Sequence, residues 1–144
     1  MVSALDSNIL IYVLDDASPF SKSALDLLKG LENDEASVYV STIARTEILH
    51  QPYQISIEVG DKAKHFLSSF GFISFVEVSE GIADSAAELC AKVGAKLKNI
   101  DSIHLATALS LGATEFWTND RELLKVTVDG ISIKSLDDIK SSQL

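Results

Sequence analysis

The chain alternates short apolar segments with longer segments whose apolar residues recur at helical spacing. The short segments predict β-strands at residues 2–5, 37–41, 72–78, 114–118 and 131–133. The longer segments predict helices, and the one over residues 100–111 is apolar on several sides, as a buried helix is. This alternation favours an α/β fold with a central parallel sheet and helices on both faces. Right-handed connections then place the carboxyl ends of the strands along one edge of the sheet.

One stretch in the middle of the chain has two competing patterns. A helix predicted to begin at Thr42 meets Pro52, which ends or bends a helix. Residues 53–60 contain isoleucine and valine in strand-like alternation, although tertiary contacts can make the same stretch helical. A further helix is predicted to begin with Asp61 as its capping residue.

The length of 144 residues predicts one domain over residues 1–144, with a polar tail from about residue 135 that we expect to fray. Hydrophobic residues make up 47% of the chain, which argues against disorder. No apolar run reaches the roughly 18 residues of a membrane-spanning helix, and no basic segment precedes the first strand as in a signal peptide. The single cysteine, Cys90, lies in an apolar helical pattern and favours a reducing, cytoplasmic setting.

Four acidic residues are predicted to meet at the carboxyl ends of the strands. Asp6 and Asp120 directly follow the first and fourth strands, Glu47 lies in the helix after the second, and Asp101 begins the buried helix. Each has an ordinary explanation alone, as a helix cap, a first-turn acid or a solvated residue. Together, ionised carboxylates repel each other and are costly to bury unless a cation lies between them. Oxygen ligands without a Cys or His cluster select Mg²⁺ or Mn²⁺ over Zn²⁺.

The net charge of −9 at pH 7 does not attract nucleic acid through the overall field of the protein. Binding to RNA would therefore depend on local basic residues or on metal ions. Lys96, Lys98, Arg121 and Lys125 flank the acids in sequence, where they can contact phosphates or simply be solvated at helix ends.

Four segments around the acids match a known family in order and spacing. They are Leu5-Asp6-Ser7-Asn8, Ser41-Thr42-Ile43-Ala44-Arg45-Thr46-Glu47, Asn99-Ile100-Asp101-Ser102-Ile103-His104-Leu105-Ala106-Thr107-Ala108 and Thr118-Asn119-Asp120. With these segments the chain resembles PIN-domain ribonucleases, and most of all the toxins of VapBC toxin–antitoxin systems. The resemblance covers nearly the whole chain, least securely residues 52–70 and the tail.

This resemblance implies a three-layer α/β/α sandwich that cleaves single-stranded RNA with Mg²⁺ or Mn²⁺. By position, the catalytic and metal-binding acids would be Asp6, Glu47, Asp101 and Asp120. Asn8 and Thr118 would orient them. A metal held by the acids lowers the pKa of a bound water for in-line attack on phosphorus and offsets charge on the transition-state oxygens. Whether one ion or two act stays open.

His104 follows Asp101 by three positions and therefore shares its helix face. One possibility is contact with the metal or its waters. The other, which we expect, is a neutral and hydrogen-bonded residue that packs beneath the site.

The resemblance also implies protein partners, namely an antitoxin that covers the acidic edge with a basic side chain and a second copy in a homodimer. Apolar residues on helices suited to such contacts are Ile43, Ile48, Leu49, Phe66 and Phe70. Core packing accounts for most of them equally well.

Other functions remain open at this point. An aspartate-nucleophile phosphatase needs a second acid two residues after Asp6, where this chain has Asn8. A receiver-type signalling domain needs an acidic pair at the same tip, and Asp15-Asp16 come a helix too late. An RNA-processing nuclease without a toxin role shares the pattern, and so does a non-catalytic module that binds RNA or a partner, against which the complete set of four acids argues.

Overall fold

The protein is described by a computed structural model over residues 1–139, in which five strands and six α-helices are joined by short connections. The strands are β1 (Val2–Leu5), β2 (Ser37–Ser41), β3 (Ile73–Val76), β4 (Glu115–Trp117) and β5 (Ser132–Lys134). The helices are α1 (Ser7–Leu14), α2 (Ser21–Asn33), α3 (Ile43–Ile55), α4 (Ile57–Leu67), α5 (Glu80–Val93) and α6 (Asn99–Ser110). Two short 3₁₀ helices lie at Leu123–Lys125 and Leu136–Asp138.

All five strands are parallel and lie in the order β3-β2-β1-β4-β5, so the predicted α/β fold with a central parallel sheet is confirmed. The chain builds the sheet outward from β1 to β3 and then returns to place β4 on the other side of β1. The carboxyl ends of β1 and β4 therefore form a topological switch point, where open α/β sheets bind ligands. At this point the Asp6 N–H, directly after β1, donates to the carbonyl of Trp117, the last residue of β4, at 2.9 Å.

Each face of the sheet has its own hydrophobic core, because successive side chains of a strand point to opposite faces. Leu5 and Trp117 pack with α1, α2 and α3 on one face. Their neighbours Ala4 and Phe116 pack with α6 on the other face, where α5 covers α6 from outside. Helix α6 is thus buried between the sheet and α5, as its apolar pattern predicts.

The ambiguous stretch after Pro52 is helical, and the strand-like reading of residues 53–60 is wrong. Helix α3 continues through Pro52 to Ile55, and α4 begins two residues later at Ile57. Ser56 caps α4 by accepting a hydrogen bond from the Val59 N–H at 3.0 Å, so the predicted cap, Asp61, lies inside the helix instead. The two helices pack against each other, and this contact outweighs the local alternation.

The expectation of a frayed tail is wrong for residues 135–139. Ser135 caps the second 3₁₀ helix, with its N–H donating to Asp138 Oδ2 at 2.8 Å and its Oγ accepting from the Asp137 N–H at 3.2 Å. Leu136, 7% exposed, packs into the core beneath α2. Residues 140–144 lie outside the described residues. Within residues 1–139, no helix combines the length and the apolar character that crossing a membrane requires.

Candidate active site

Asp6 lies at the centre of the candidate site, where β1 ends and α1 begins. It is 4% exposed, and it caps α1, with Oδ1 accepting from the Ser7 N–H at 2.8 Å. Oδ2 accepts from the Thr118 hydroxyl at 2.7 Å and from the Asn8 amide at 3.3 Å. The carboxylate is therefore held from both sides by groups that come from the ends of β1 and β4.

Thr118 and Asn8 connect the two strand ends. Besides donating to Asp6, the Thr118 hydroxyl accepts from the Asp120 N–H at 3.1 Å. Asn8 Nδ2 lies 3.2 Å from the Thr118 hydroxyl oxygen. Asn8 Oδ1 accepts a hydrogen bond from the Asn119 N–H at 3.2 Å. Asn8 and Thr118 thus bridge the two strand ends through hydrogen bonds, and their role in orienting the acids stays a prediction.

Glu47 reaches the site from α3 and His104 reaches it from α6. His104 Nε2 lies 2.8 Å from Glu47 Oε1 and 3.9 Å from Asp6 Oδ1. His104 is 2% exposed, whereas 39% of the Glu47 side chain is exposed. A buried imidazole therefore links two of the four acids, one deep in the protein and one at its surface.

The surroundings of His104 favour its protonated form. Burial lowers the pKa of His104, but the hydrogen bond that it donates to Glu47 and the charges of Asp6, Glu47 and Asp101 together raise the pKa above its ordinary value. The same hydrogen bond lowers the pKa of Glu47. His104 is buried and hydrogen-bonded as expected, and its raised pKa shifts the balance away from the neutral state that was expected for it. Its Nδ1 has no hydrogen-bond partner among the described residues, which works against full protonation.

Asp6 and Asp101 both hold their protons more tightly than an exposed carboxyl does. Burial raises the pKa of Asp6 despite the opposing effects of His104, Thr118 and Ser7. The pKa of Asp101, in the first turn of α6, is raised from 3.8 to about 6, first by burial and then by the charges of Asp6 and Asp120. The mutual repulsion shows that the carboxylates share one electrostatic environment.

Asp120 lies just beyond β4 and has a structural role as well. Its Oδ1 accepts from the Glu122 N–H at 2.9 Å and the Leu123 N–H at 3.5 Å, at the start of the first 3₁₀ helix. The capping explanation is thus correct for Asp6, whereas Asp120 accepts hydrogen bonds in the turn before a helix whose N-cap is Glu122. Neither role conflicts with a position in the acidic site.

The fit of these residues to a metal ion depends on the type of ion. Within residues 1–139, no three acidic, His or Cys side chains converge closely enough to hold an ion by themselves. Mg²⁺ is commonly held by one or two carboxylates and keeps several of its waters, so it does not require such convergence. In the same part of the chain, no Lys or Arg forms an ion pair with any of the four acids. The site therefore fits a hydrated divalent cation and not a closed zinc site.

The structure brings Asp6, Glu47 and His104 together directly and places Asp101 and Asp120 near enough for their charges to act on one another. Sequence reasoning named Ser7 only within a matching segment and missed it as part of this site. Ser7 donates its N–H to Asp6 Oδ1, and its hydroxyl lies 3.4 Å from the same oxygen. The only signal was its position directly after Asp6.

Comparisons with known proteins agree on the fold. The model of the PIN domain family matches residues 4–128. A VapBC2 complex from Rickettsia felis, bound to a DNA fragment from its promoter, is 17% identical with a TM-score of 0.71 over 94% of this chain and 98% of that chain. A toxin–antitoxin complex from Klebsiella pneumoniae is 22% identical with a TM-score of 0.63 over 90% and 95%.

A third solved structure with the same fold is VapC20 of Mycobacterium tuberculosis, described as a toxin that cleaves the sarcin–ricin loop. It is 12% identical with a TM-score of 0.65, over 87% of this chain and 96% of that chain. No curated protein matches the chain in sequence.

Proposed function

The chain belongs to the PIN domain family, and from this premise we propose that it is a divalent-cation-dependent endoribonuclease that hydrolyses phosphodiester bonds of single-stranded RNA. We further propose that it is the toxin of a toxin–antitoxin pair and acts in the cytoplasm. In this proposal four acids catalyse the reaction and bind the metal, namely Asp6, Glu47, Asp101 and Asp120. Three further residues support and orient these acids, namely Asn8, Thr118 and His104.

The observation that carries the proposal is the charge of the site. The pKa of Asp101 is raised to about 6, first by burial and then by neighbouring carboxylates, although a buried histidine already offsets part of their charge. Such an arrangement destabilises the folded protein unless a cation binds there. An enzyme that stabilises a phosphate with a metal ion needs this excess of negative charge in its resting site.

Most of the chemistry follows from how the chain holds its own carboxylates. When bound, Mg²⁺ or Mn²⁺ would lower the pKa of a water and offset charge at the phosphate. Thr118, Asn8 and Ser7 fix the rotamer of Asp6, and His104 fixes the position of Glu47. Preorganised carboxylates need no rearrangement when the substrate arrives, which is the main source of electrostatic catalysis.

An apolar groove supports the proposed antitoxin partner. It lies between α1, α3 and α4, has a volume of about 580 Å³ and includes Ile11, Leu14, Ile48, Ile55 and Phe66 in its lining. Its apolar lining suits the apolar face of a partner helix. Ile57, outside the groove on α4, is 76% exposed and is available to a second copy of the chain in the proposed homodimer.

Cleavage of a labelled single-stranded RNA by the purified chain tests the enzymatic part. We expect cleavage with Mg²⁺ or Mn²⁺ and none in EDTA, and we expect Asp6→Asn to reduce the rate at least ~10²-fold. Asp84→Asn, which removes the same charge from the exposed face of α5, is the matched control and should cleave at the wild-type rate. Full activity in EDTA, or in Asp6→Asn, would rule out the proposed chemistry.

A growth experiment tests the toxin role separately. Expression of the chain alone should slow growth, expression of the neighbouring reading frame should restore it, and Asp6→Asn should be harmless by itself. If the chain cleaves RNA in vitro but growth is unaffected, an RNA-processing role replaces the toxin role. If wild type and Asp6→Asn slow growth equally, the toxicity does not come from cleavage.

A further inference from the structure

A second groove lies on the opposite layer of the protein, between α5, α6 and residues 125–129. Its volume is about 480 Å³, and three lysines, Lys92, Lys96 and Lys125, line it together with apolar residues such as Val93 and Val126. The chain has 12 Lys and Arg in all against 21 Asp and Glu. A quarter of its basic residues therefore line one groove of a protein whose net charge is strongly negative.

The charges of these lysines are largely available to a ligand. Lys22, Lys62 and Lys134 each pair with a nearby acid, but Lys92 and Lys96 form no ion pair within residues 1–139. Lys125 lies 3.2 Å from Glu122, yet both side chains are more than 60% exposed, and such surface pairs contribute little. Among residues 1–139, Asp129 is the one acidic side chain in the lining of this groove.

One end of the groove approaches the acidic site, because Lys96 and Lys125 are on segments that adjoin acids. The other end, with Leu109 and Asp129, lies toward the amino ends of the strands. Lys125 follows Asp120 by little more than one helical turn, in which the Leu124 N–H donates to the Asp120 carbonyl at 3.0 Å. Lys96 lies in the loop before α6, and the first turn of α6 carries Asp101. A chain of phosphates in the groove would continue toward the acids from this side.

We infer that this lysine groove binds phosphates of the RNA chain on one side of the bond that is cleaved. This inference rests on the proposed function and adds the path of the substrate. A protein of net charge −9 repels RNA, so local cations must hold the strand next to four acids. In the described part of the chain, the lining includes no aromatic side chain on which a base could stack, so the groove contributes phosphate contacts without sequence preference.

A groove that leads away from the reactive edge suits an RNA strand that extends beyond the cleaved bond, and an acidic segment of a partner protein is the alternative that the experiment distinguishes. The inference therefore makes a kinetic prediction. Removal of the lysines should raise KM for RNA several-fold and leave kcat nearly unchanged, because phosphate contacts away from the reacting bond are equal in ground and transition states.

Binding of fluorescein-labelled oligouridylate to the Asp6→Asn chain, measured by fluorescence anisotropy over a range of salt concentrations, tests the groove without cleavage. In that background, Lys92→Gln with Lys96→Gln should reduce the slope of log K against log salt by about 1.4, or ~0.7 for each lost phosphate contact. The matched control, Lys22→Gln with Lys29→Gln, removes the same charge from α2 in the other layer and should keep the parent slope. Melting temperatures check that both variants fold.

Equal slopes in the groove and control variants would overturn the inference, and the proposed ribonuclease would stand if the wild type still cleaves RNA. A reduced slope in the groove variant without RNA cleavage by the wild type would support the groove and reject the ribonuclease. If the groove variant binds RNA like its parent but loses affinity for the protein of the neighbouring reading frame, the groove binds an acidic protein segment and the inference is wrong.

Discussion

His104 Nε2 lies 2.8 Å from Glu47 Oε1 although the two residues are 57 positions apart in the chain. The contact joins α6 to α3 across the carboxyl end of β1, and it brings the same imidazole to 3.9 Å from Asp6. Because a carboxylate can only accept, Nε2 carries a proton whether His104 is neutral or charged. Because its pKa is raised, His104 is also more readily protonated among these acids than a free imidazole is.

His104→Gln keeps a hydrogen-bond donor for Glu47 but removes the charge. Because the pKa of His104 is raised in the folded protein, the stability it contributes is present below its unfolded pKa of 6.5 and is lost as pH rises through the folded value. We expect the variant to lose about 2 kcal/mol of unfolding free energy at about pH 6 and much less at about pH 9. Denaturant unfolding at both pH values measures this.

The control for this experiment is His50→Gln, at an exposed position of the same helix as Glu47. It should unfold like the wild type at both pH values. If His104→Gln loses the same stability at low and high pH, then His104 acts through packing and not through its charge.

Asp101→Asn should stabilise the metal-free protein at neutral pH. Folded Asp101 holds its proton up to about pH 6, whereas the unfolded chain releases it at 3.8. The free energy of unfolding therefore falls as pH rises through this window and stays low above it. The shift in the pKa of Asp101, taken alone, corresponds to ~3 kcal/mol of unfolding free energy. Because the Asp101 carboxyl is only half-buried, solvent screening reduces the expected gain in unfolding free energy to about 1–2 kcal/mol.

Thermal unfolding in EDTA checks this expectation. The melting temperature of Asp101→Asn should exceed that of the wild type by ~3–6 °C at about pH 8 and equal it at about pH 4. Asp84→Asn, on the exposed face of α5, should show no such difference. A gain in Asp101→Asn that is as large at low pH as at high pH would contradict the electrostatic explanation.

Added metal should stabilise the wild type and have a smaller effect on Asp101→Asn. A cation that binds only the folded protein at ten times its Kd raises the unfolding free energy by ~1.4 kcal/mol, or a few degrees in melting temperature. Differential scanning calorimetry with and without millimolar Mg²⁺ or Mn²⁺ measures the response, with Ca²⁺ as a comparison for general ionic effects. An equal response in both proteins would mean that Asp101 is not part of the binding site.

Gly60→Ala should destabilise the pair formed by α3 and α4. A Cβ at Gly60 would overlap the ring of Tyr53, whose hydroxyl donates to Asp61 at 2.8 Å. The Tyr53 ring must therefore move away from this position. We expect the free energy of unfolding to fall by about 1 kcal/mol after the better helix propensity of Ala is included. Gly81→Ala in α5 is the matched control, because its Cβ meets nothing closer than 3.8 Å. It should be neutral or slightly stabilising, and chemical denaturation of both variants tests the difference.

Features that depend on neighbours in the chain were predictable from the sequence. The periodicity of apolar residues predicted β1, β2 and the parallel sheet, because side-chain spacing directly reflects which faces are buried. The positions of Asp6 and Asp120 directly after strands predicted where their carboxylates lie, since parallel strands end at one edge.

Tertiary structure alone decided the features that depend on distant partners. Residues 53–60 are helical because α4 packs on α3, and Leu136 is ordered because it packs beneath α2. The raised pKa of His104 likewise comes from Glu47 and Asp6, on other elements of the fold. Sequence spacing carries no record of such contacts, because burial, Coulomb energy and hydrogen bonding depend on distance in space.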